Sequence, residues 1–173
     1  MLELYLGGAR SGKSALAERR IRESASHVQR VYIATATAGD EEMTARIAHH
    51  QRQRRDDGWQ TIEAPEELAA AIRSHAGTDT AILVDCLTLW LSNWLMKDDL
   101  SNWHTVRDAF YQVLRQADGH IVLVSNEVGQ GIVPLGSLSR QFVDESGRLH
   151  QDLAVMADRV VLVTAGLEQV LKG

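Results

Sequence analysis

The chain has 173 residues, 45% of them hydrophobic and 24% charged, which suits one globular domain with a sizeable core. A net charge of −5 argues against general nucleic-acid affinity, and a single cysteine, Cys86, excludes an intramolecular disulfide and fits a reducing compartment. No apolar stretch reaches the roughly 20 residues that cross a bilayer, and no basic segment leads into an apolar one at the start. A cytoplasmic protein with no membrane span is therefore expected. The charge is uneven: residues 1–60 carry 10 Lys/Arg against 8 Asp/Glu, and residues 61–173 carry 8 against 15.

Leu2-Glu3-Leu4-Tyr5-Leu6 reads as a short strand. It runs into Gly7, Gly8, Ala9, Arg10, Ser11, Gly12, Lys13 and Ser14, which fit G-x-x-x-x-G-K-[ST], the phosphate-binding P-loop. Each part has a mechanical reason. The glycines let successive backbone N–H groups turn toward an anion. Lys13 can reach the β- and γ-phosphates of a nucleoside triphosphate, and the Ser14 hydroxyl can coordinate Mg2+. A helix from Ala15, with Leu16, Arg20 and Ile21 at helical spacing, points its positive dipole end at the same phosphates. The basic excess of the first sixty residues lies on this half of the chain.

Further continuous apolar runs predict strands at 31–34, 81–85, 121–125 and 160–164. Strands covered on both faces look like this, as they do in parallel sheets. Helical patterns separate them at about 41–56, 66–75, 87–97, 103–117 and 138–157. The alternation predicts an α/β fold, P-loop NTPase-like, with a mostly parallel sheet flanked by helices in a single domain over residues 1–173. Trp90 and Trp94 share a helix face, and core or subunit packing accounts for them more simply than ligand stacking. Cys86, after an apolar run, reads as a buried inert thiol.

Two further places carry chemistry. P-loop proteins usually set an acidic residue at the end of a neighbouring strand to hold the Mg2+ shell, and Asp85 ends the run 81–84. Asp85 also reads as a helix N-cap before Leu87, and the two roles are compatible. On the helix opened by Asp40-Glu41-Glu42, Met43 and Ile47 define an apolar stripe. His50 falls beside that stripe, and His49 falls on the far side with Arg52 and Gln53. Imidazole is a competent nucleophile toward phosphorus. The residues alone leave open whether His49 meets a phosphate or lies on a solvated helix face.

Taken together, Gly7 to Ser14, Tyr32-Ile33-Ala34-Thr35, Arg46-Ile47-Ala48-His49-His50, then Trp59, Thr61 and Glu63, and Asn126-Glu127-Val128-Gly129-Gln130-Gly131-Ile132-Val133-Pro134 resemble the bifunctional adenosylcobinamide kinase / adenosylcobinamide-phosphate guanylyltransferase family of cobalamin biosynthesis. The resemblance covers nearly the whole chain. It implies phosphorylation of the adenosylcobinamide hydroxyl with ATP or GTP. It then implies transfer of GMP from GTP to that phosphate, giving adenosylcobinamide-GDP and pyrophosphate. It places the transferred GMP on His49. It also places Thr35, Ala36, Thr37, His50, Gln51, Arg52, Gln53, Glu63 and Asp85 at nucleotide-contacting positions. The P-loop chemistry of Ser14 and Asp85 makes Mg2+ the expected cofactor. Homo-oligomers are implied as well, since some relatives form trimers through edges of the sheet. Asn126 and Glu127 are expected to line the crevice beyond the strand 121–125, with Gly129 and Gly131 letting a loop close over it; a structural Gly-Pro turn is the plainer alternative. The residues without the resemblance remain compatible with a monofunctional P-loop kinase of a small molecule, which leaves His49 idle, or with a nucleotide-binding switch that transfers nothing.

Overall fold

A computed structural model describes residues 1–24, 29–37, 57–97 and 100–173. Seven strands form one sheet: β1 (Leu2–Gly7), β2 (Gln29–Ala34), β3 (Trp59–Glu63), β4 (Thr80–Asp85), β5 (His120–Asn126), β6 (Arg159–Thr164) and β7 (Leu167–Lys172). Their order is β3-β2-β4-β5-β1-β6-β7. Every neighbouring pair is parallel except β6 and β7. The described helices are α1 (Lys13–Ser24), α2 (Leu68–His75), α3 (Leu87–Leu95), α4 (Leu100–Gln116) and α5 (Ser137–Met156). The helix expected over 41–56 lies outside the described residues.

The strand pleat sorts the core into two layers. Leu2, Leu4 and Leu6 of β1 pack with Leu68 and Ile72 of α2, Trp90 of α3, Phe110 of α4 and Leu153 of α5. Tyr5, between them, faces the other way and packs with Leu16, Ala17 and Ile21 of α1. Apolar residues at both pleat positions are what made these strands continuous runs in the sequence. Trp90 and Trp103 are fully buried with ring centroids 5.0 Å apart, so both belong to the core. The Trp103 indole N–H donates to Glu145 Oε2 at 2.8 Å, tying α4 to α5. Cys86 is buried too, and burial followed by the adjacent Asp85 charge pushes its thiol pKa up. The inert reading of the thiol fits.

Two strands escaped the sequence reading. β3 buries only Trp59 fully, and Gln60, Thr61, Ile62 and Glu63 are half-buried or exposed, so it shows no apolar run. β7 is exposed along its whole length as the antiparallel edge of the sheet. It reaches that place through a two-residue turn, Ala165 and Gly166, with φ of 52° and 78°. Two positive φ values match the twist of a hairpin. With Ala in place of the usual Asn or Asp, the turn signal in the sequence was weak.

Glu3 breaks the apolar pattern of β1. It is fully buried, and its carboxylate accepts from Arg20 Nε at 3.1 Å and from the Tyr5 hydroxyl at 3.3 Å, with His120 Nε2 at 3.1 Å. Arg159 Nε lies 4.0 Å away. Burial alone would raise its pKa; the hydrogen bond from His120 and the charge of Arg20 outweigh it and hold Glu3 below the usual carboxylate range.

Candidate active site

All strands from β3 to β6 point the same way, so their carboxyl ends share one edge of the sheet. The register places Gly7 beside Asn126, Asp85 beside Val124 and Ala34, and Ala34 beside Glu63. Residues dispersed from position 7 to position 126 thus meet along one crevice, which is where open α/β sheets take their ligands.

Residues 7–14 form the turn from β1 into α1. Ser11 N–H donates to Gly8 O at 3.2 Å, and the first helical bond runs from Leu16 N–H to Gly12 O at 3.0 Å. Lys13 is buried and folds back so that Nζ donates to Gly8 O at 3.0 Å. Ser14 is half-buried on the first turn of α1. Ala9 and Arg10 are exposed at the tip, where Arg10 adopts φ 56°. The Ser11 hydroxyl is buried and has no hydrogen-bond partner among the described residues. A buried hydroxyl without a partner inside such a turn is a place to look for a ligand.

Two glycines are needed for close approach. A Cβ on Gly7 would lie 2.5 Å from Val163 O and 2.6 Å from Ser11 Oγ. Gly12 has φ 94°, and a Cβ there would meet Gly166 Cα at 3.3 Å. Gly166 N–H in turn donates to Ser11 O at 2.8 Å. The β6–β7 hairpin turn therefore braces the loop from behind. Sequence reading did not single out Ala165 and Gly166; their only signal was a small residue followed by Gly after an apolar run.

Asp85 ends β4, which lies one strand further from β1 than expected: β5 intervenes. At a strand spacing of about 4.8 Å the two strands are roughly 10 Å apart, a gap that a hydrated cation and phosphate oxygens can fill. Asp85 is not the helix cap. The cap position of α3 is Cys86, which makes no side-chain cap bond, while Asp85 Oδ2 accepts from the Tyr32 hydroxyl at 2.7 Å. Being the last strand residue, Asp85 is aimed by the sheet rather than by the helix.

Thr35 is fully buried at the end of β2. Its hydroxyl donates to Cys86 O at 2.7 Å and accepts from Cys86 N–H at 2.8 Å. Its carbonyl accepts from Asn93 Nδ2 at 2.9 Å, and the same Nδ2 also donates to Pro65 O at 2.9 Å. Thr35 thus fastens β2 to the turn between β4 and α3. Ala36 is half-buried, and Thr37 and Glu63 are exposed. His49, His50, Gln51, Arg52 and Gln53 lie outside the described residues.

β5 ends at Asn126, and the chain leaves the sheet at Glu127. Glu127 N–H donates to Gly7 O at 3.0 Å, so this segment is docked on the first residue of the P-loop. Asn126 Nδ2 donates to Thr88 Oγ1 at 3.0 Å. Glu127 Oε1 accepts from Gly129 N–H at 2.6 Å, and Oε2 lies 3.8 Å from His150 Nδ1. His150 Nε2 is 2.7 Å from the Ser125 hydroxyl. Burial lowers the His150 pKa, and the Glu127 charge offsets part of that. Among the described residues no three His, Cys, Asp or Glu side chains converge as a metal cluster. No helix among them is long and apolar enough to cross a membrane.

Residues 3–171 match the family model described as cobinamide kinase / cobinamide phosphate guanyltransferase. The chain belongs to this family. A bifunctional adenosylcobalamin biosynthesis protein, CobP, from Pseudomonas aeruginosa is 54% identical over 173 residues, covering all of this chain and 98% of the relative. Proteins of the same description, CobU, from Escherichia coli and Salmonella typhimurium are 38% and 39% identical, each with 96% of this chain and 97% of the relative covered. Among solved structures, the RadB recombinase superposes with a TM-score of 0.55 over 93% of this chain and 73% of that one, at 12% identity. Flagellar accessory protein FlaH from Methanocaldococcus jannaschii gives 0.52 over 99% and 77%, also at 12% identity. At such identity these two establish the fold alone, an α/β domain like those of P-loop proteins.

Proposed function

We propose that this chain phosphorylates the hydroxyl of adenosylcobinamide with ATP or GTP, then moves GMP from GTP onto that phosphate through a histidine intermediate. The observation that carries the reading is the family match over residues 3–171, on a P-loop turn whose buried Ser11 hydroxyl has no partner among the described residues. In the first reaction the acceptor oxygen bonds to the γ-phosphorus as the bridge to the β-phosphate breaks. Lys13 and the loop amides hold the phosphates, and Glu127, docked on Gly7, takes the hydroxyl proton. Neutral His150, anchored on Ser125, keeps the Glu127 carboxylate in place.

In the second reaction His49 bonds to the α-phosphorus of GTP and pyrophosphate leaves. The substrate phosphate then displaces the imidazole and takes the GMP. Two displacements replace one between two anions. Residues 50–53 and Ala36, Thr37, Glu63 and Asp85 are assigned to contacts with the nucleotide, and the fully buried Thr35 holds the end of β2 in place beneath them.

Oxygen donors suit a hard cation, and Mg2+ needs only one or two from the protein, with phosphates and waters completing the shell. Ser14 and Asp85 would hold it, and bound there it would neutralise charge developing on the phosphates. We assign both activities to one domain, in the cytoplasm, in a homo-oligomer. The exposed edge strand β7, bearing Leu167 and Leu171, supports association of copies.

Incubation with α-labelled GTP tests the reading. An acid-labile, alkali-stable protein-bound label that is lost in His49→Ala supports it. Absence of any covalent label in the wild type refutes the transferase half and leaves a kinase.

A further inference from the structure

The end of α3, the start of α5 and the segment that follows Glu127 enclose a cavity of about 400 Å3. Leu95, Met96, Val128, Pro134, Leu138 and Phe142 line it. Among the described residues, the only polar side chains in the lining are the hydroxyls of Ser92 and Ser139. Met96 is 77% exposed and Leu138 is 50% exposed, and the adjoining Ile132 and Leu135 are almost fully exposed. So much contiguous apolar surface on a folded protein marks a binding site, and the volume lies in the small-ligand range.

The chemistry of the lining excludes a polyphosphate, which needs cations or a cluster of amides. It suits a large apolar body instead. The groove is also continuous with the phosphate loop. Val128 lines the groove, and the preceding residue, Glu127, bonds Gly7 O through its N–H. Asn126 pairs with Gly7 in the sheet and reaches Thr88 at the start of α3. An acceptor held in the groove therefore needs only a short polar arm, running along Asn126 and Glu127, to bring a hydroxyl to the P-loop.

We propose that this groove is the acceptor site and takes the methyl-bearing edge of the corrin macrocycle, with the hydroxyl-bearing side chain directed past Glu127 to the phosphates. A macrocycle larger than the cavity fits because the groove is open and its rim is apolar. The proposal rests on the kinase reading above, which supplies the identity of the acceptor.

The test is steady-state kinase kinetics on the full chain with Leu138→Glu and, separately, Met96→Glu. Both side chains are substantially exposed, so folding is not at stake. Replacing an apolar contact by a carboxylate is expected to raise KM for cobinamide roughly tenfold or more, while KM for ATP and kcat at saturating cobinamide stay within about twofold. An unchanged KM for cobinamide overturns the proposal. Light scattering runs alongside: a fall in oligomeric mass in the variants also overturns it, because the groove is then a contact between copies. If the wild type does not phosphorylate cobinamide, the kinase reading fails by itself. Equilibrium dialysis of cobinamide then decides the groove: binding by the wild type that is lost in both variants supports it, and no binding refutes it.

Discussion

Gly7→Ala is the sharpest perturbation of the phosphate loop. The added Cβ would sit 2.5 Å from Val163 O and 2.6 Å from Ser11 Oγ. A carbon–oxygen contact relaxes at roughly 3.3 Å, so one side must yield by about 0.8 Å. The Ser11 side chain can turn away. The Val163 carbonyl cannot, because β6 is held between β1 and β7, with Val163 in register with both Gly7 and Glu168. Forcing an extra methyl into packing of this kind costs about 1–3 kcal/mol. At about 2 kcal/mol, Tm falls by roughly 4–8 °C for a chain of this size. The displaced loop also loses its aim, so KM for nucleotide rises. Gly8→Ala is the control: a Cβ there meets nothing within 4 Å, and stability should stay within about 0.5 kcal/mol of wild type. Urea melts and calorimetry measure both variants. A Gly7→Ala protein as stable as Gly8→Ala would refute the argument that close packing, rather than loop flexibility, demands glycine at this position.

Lys13→Ala should abolish kinase and guanylyl transfer alike, whereas His49→Ala should abolish only the transfer and keep the kinase within about tenfold; equal loss of both activities in both variants refutes the division of labour. Glu127→Gln should lower the kinase kcat by about 100-fold or more with little change in KM, as loss of a general base does, and wild-type turnover would remove Glu127 from the reaction. Glu3→Gln should cost about 1–3 kcal/mol at neutral pH; Arg20 is 38% exposed and can be rehydrated, which keeps the loss below that of a fully buried pair. Since the folded-state pKa of Glu3 is depressed, its contribution is complete above the unfolded value near 4.5 and fades as pH falls through the folded value. The stability gap between wild type and Glu3→Gln should therefore narrow in acid, and a gap independent of pH would refute the ionic role.

The P-loop turn, five of the seven described strands and the parallel character of the sheet were legible from the residues alone. These follow from local rules: a glycine pattern that bends the backbone, and apolar residues at both pleat positions of strands covered on both faces. β3 and β7 stayed hidden because an edge strand has too little buried surface to leave a hydrophobic pattern. Asp85 was legible as an acid ending a strand, but its aim was not. Only the strand order put β5 between it and the P-loop, and only the fold gave its carboxylate to Tyr32 instead of to the α3 cap. Thr35 was singled out by resemblance, and its hydroxyl turned out to be bonded to the Cys86 backbone on both its donor and acceptor sides. The brace from Gly166 to Ser11, the Ser125–His150–Glu127 arrangement and the apolar groove beside them join residues far apart in the chain. No local pattern encodes such meetings, because they depend on which strands lie side by side, and that is decided by the packing of the whole sheet.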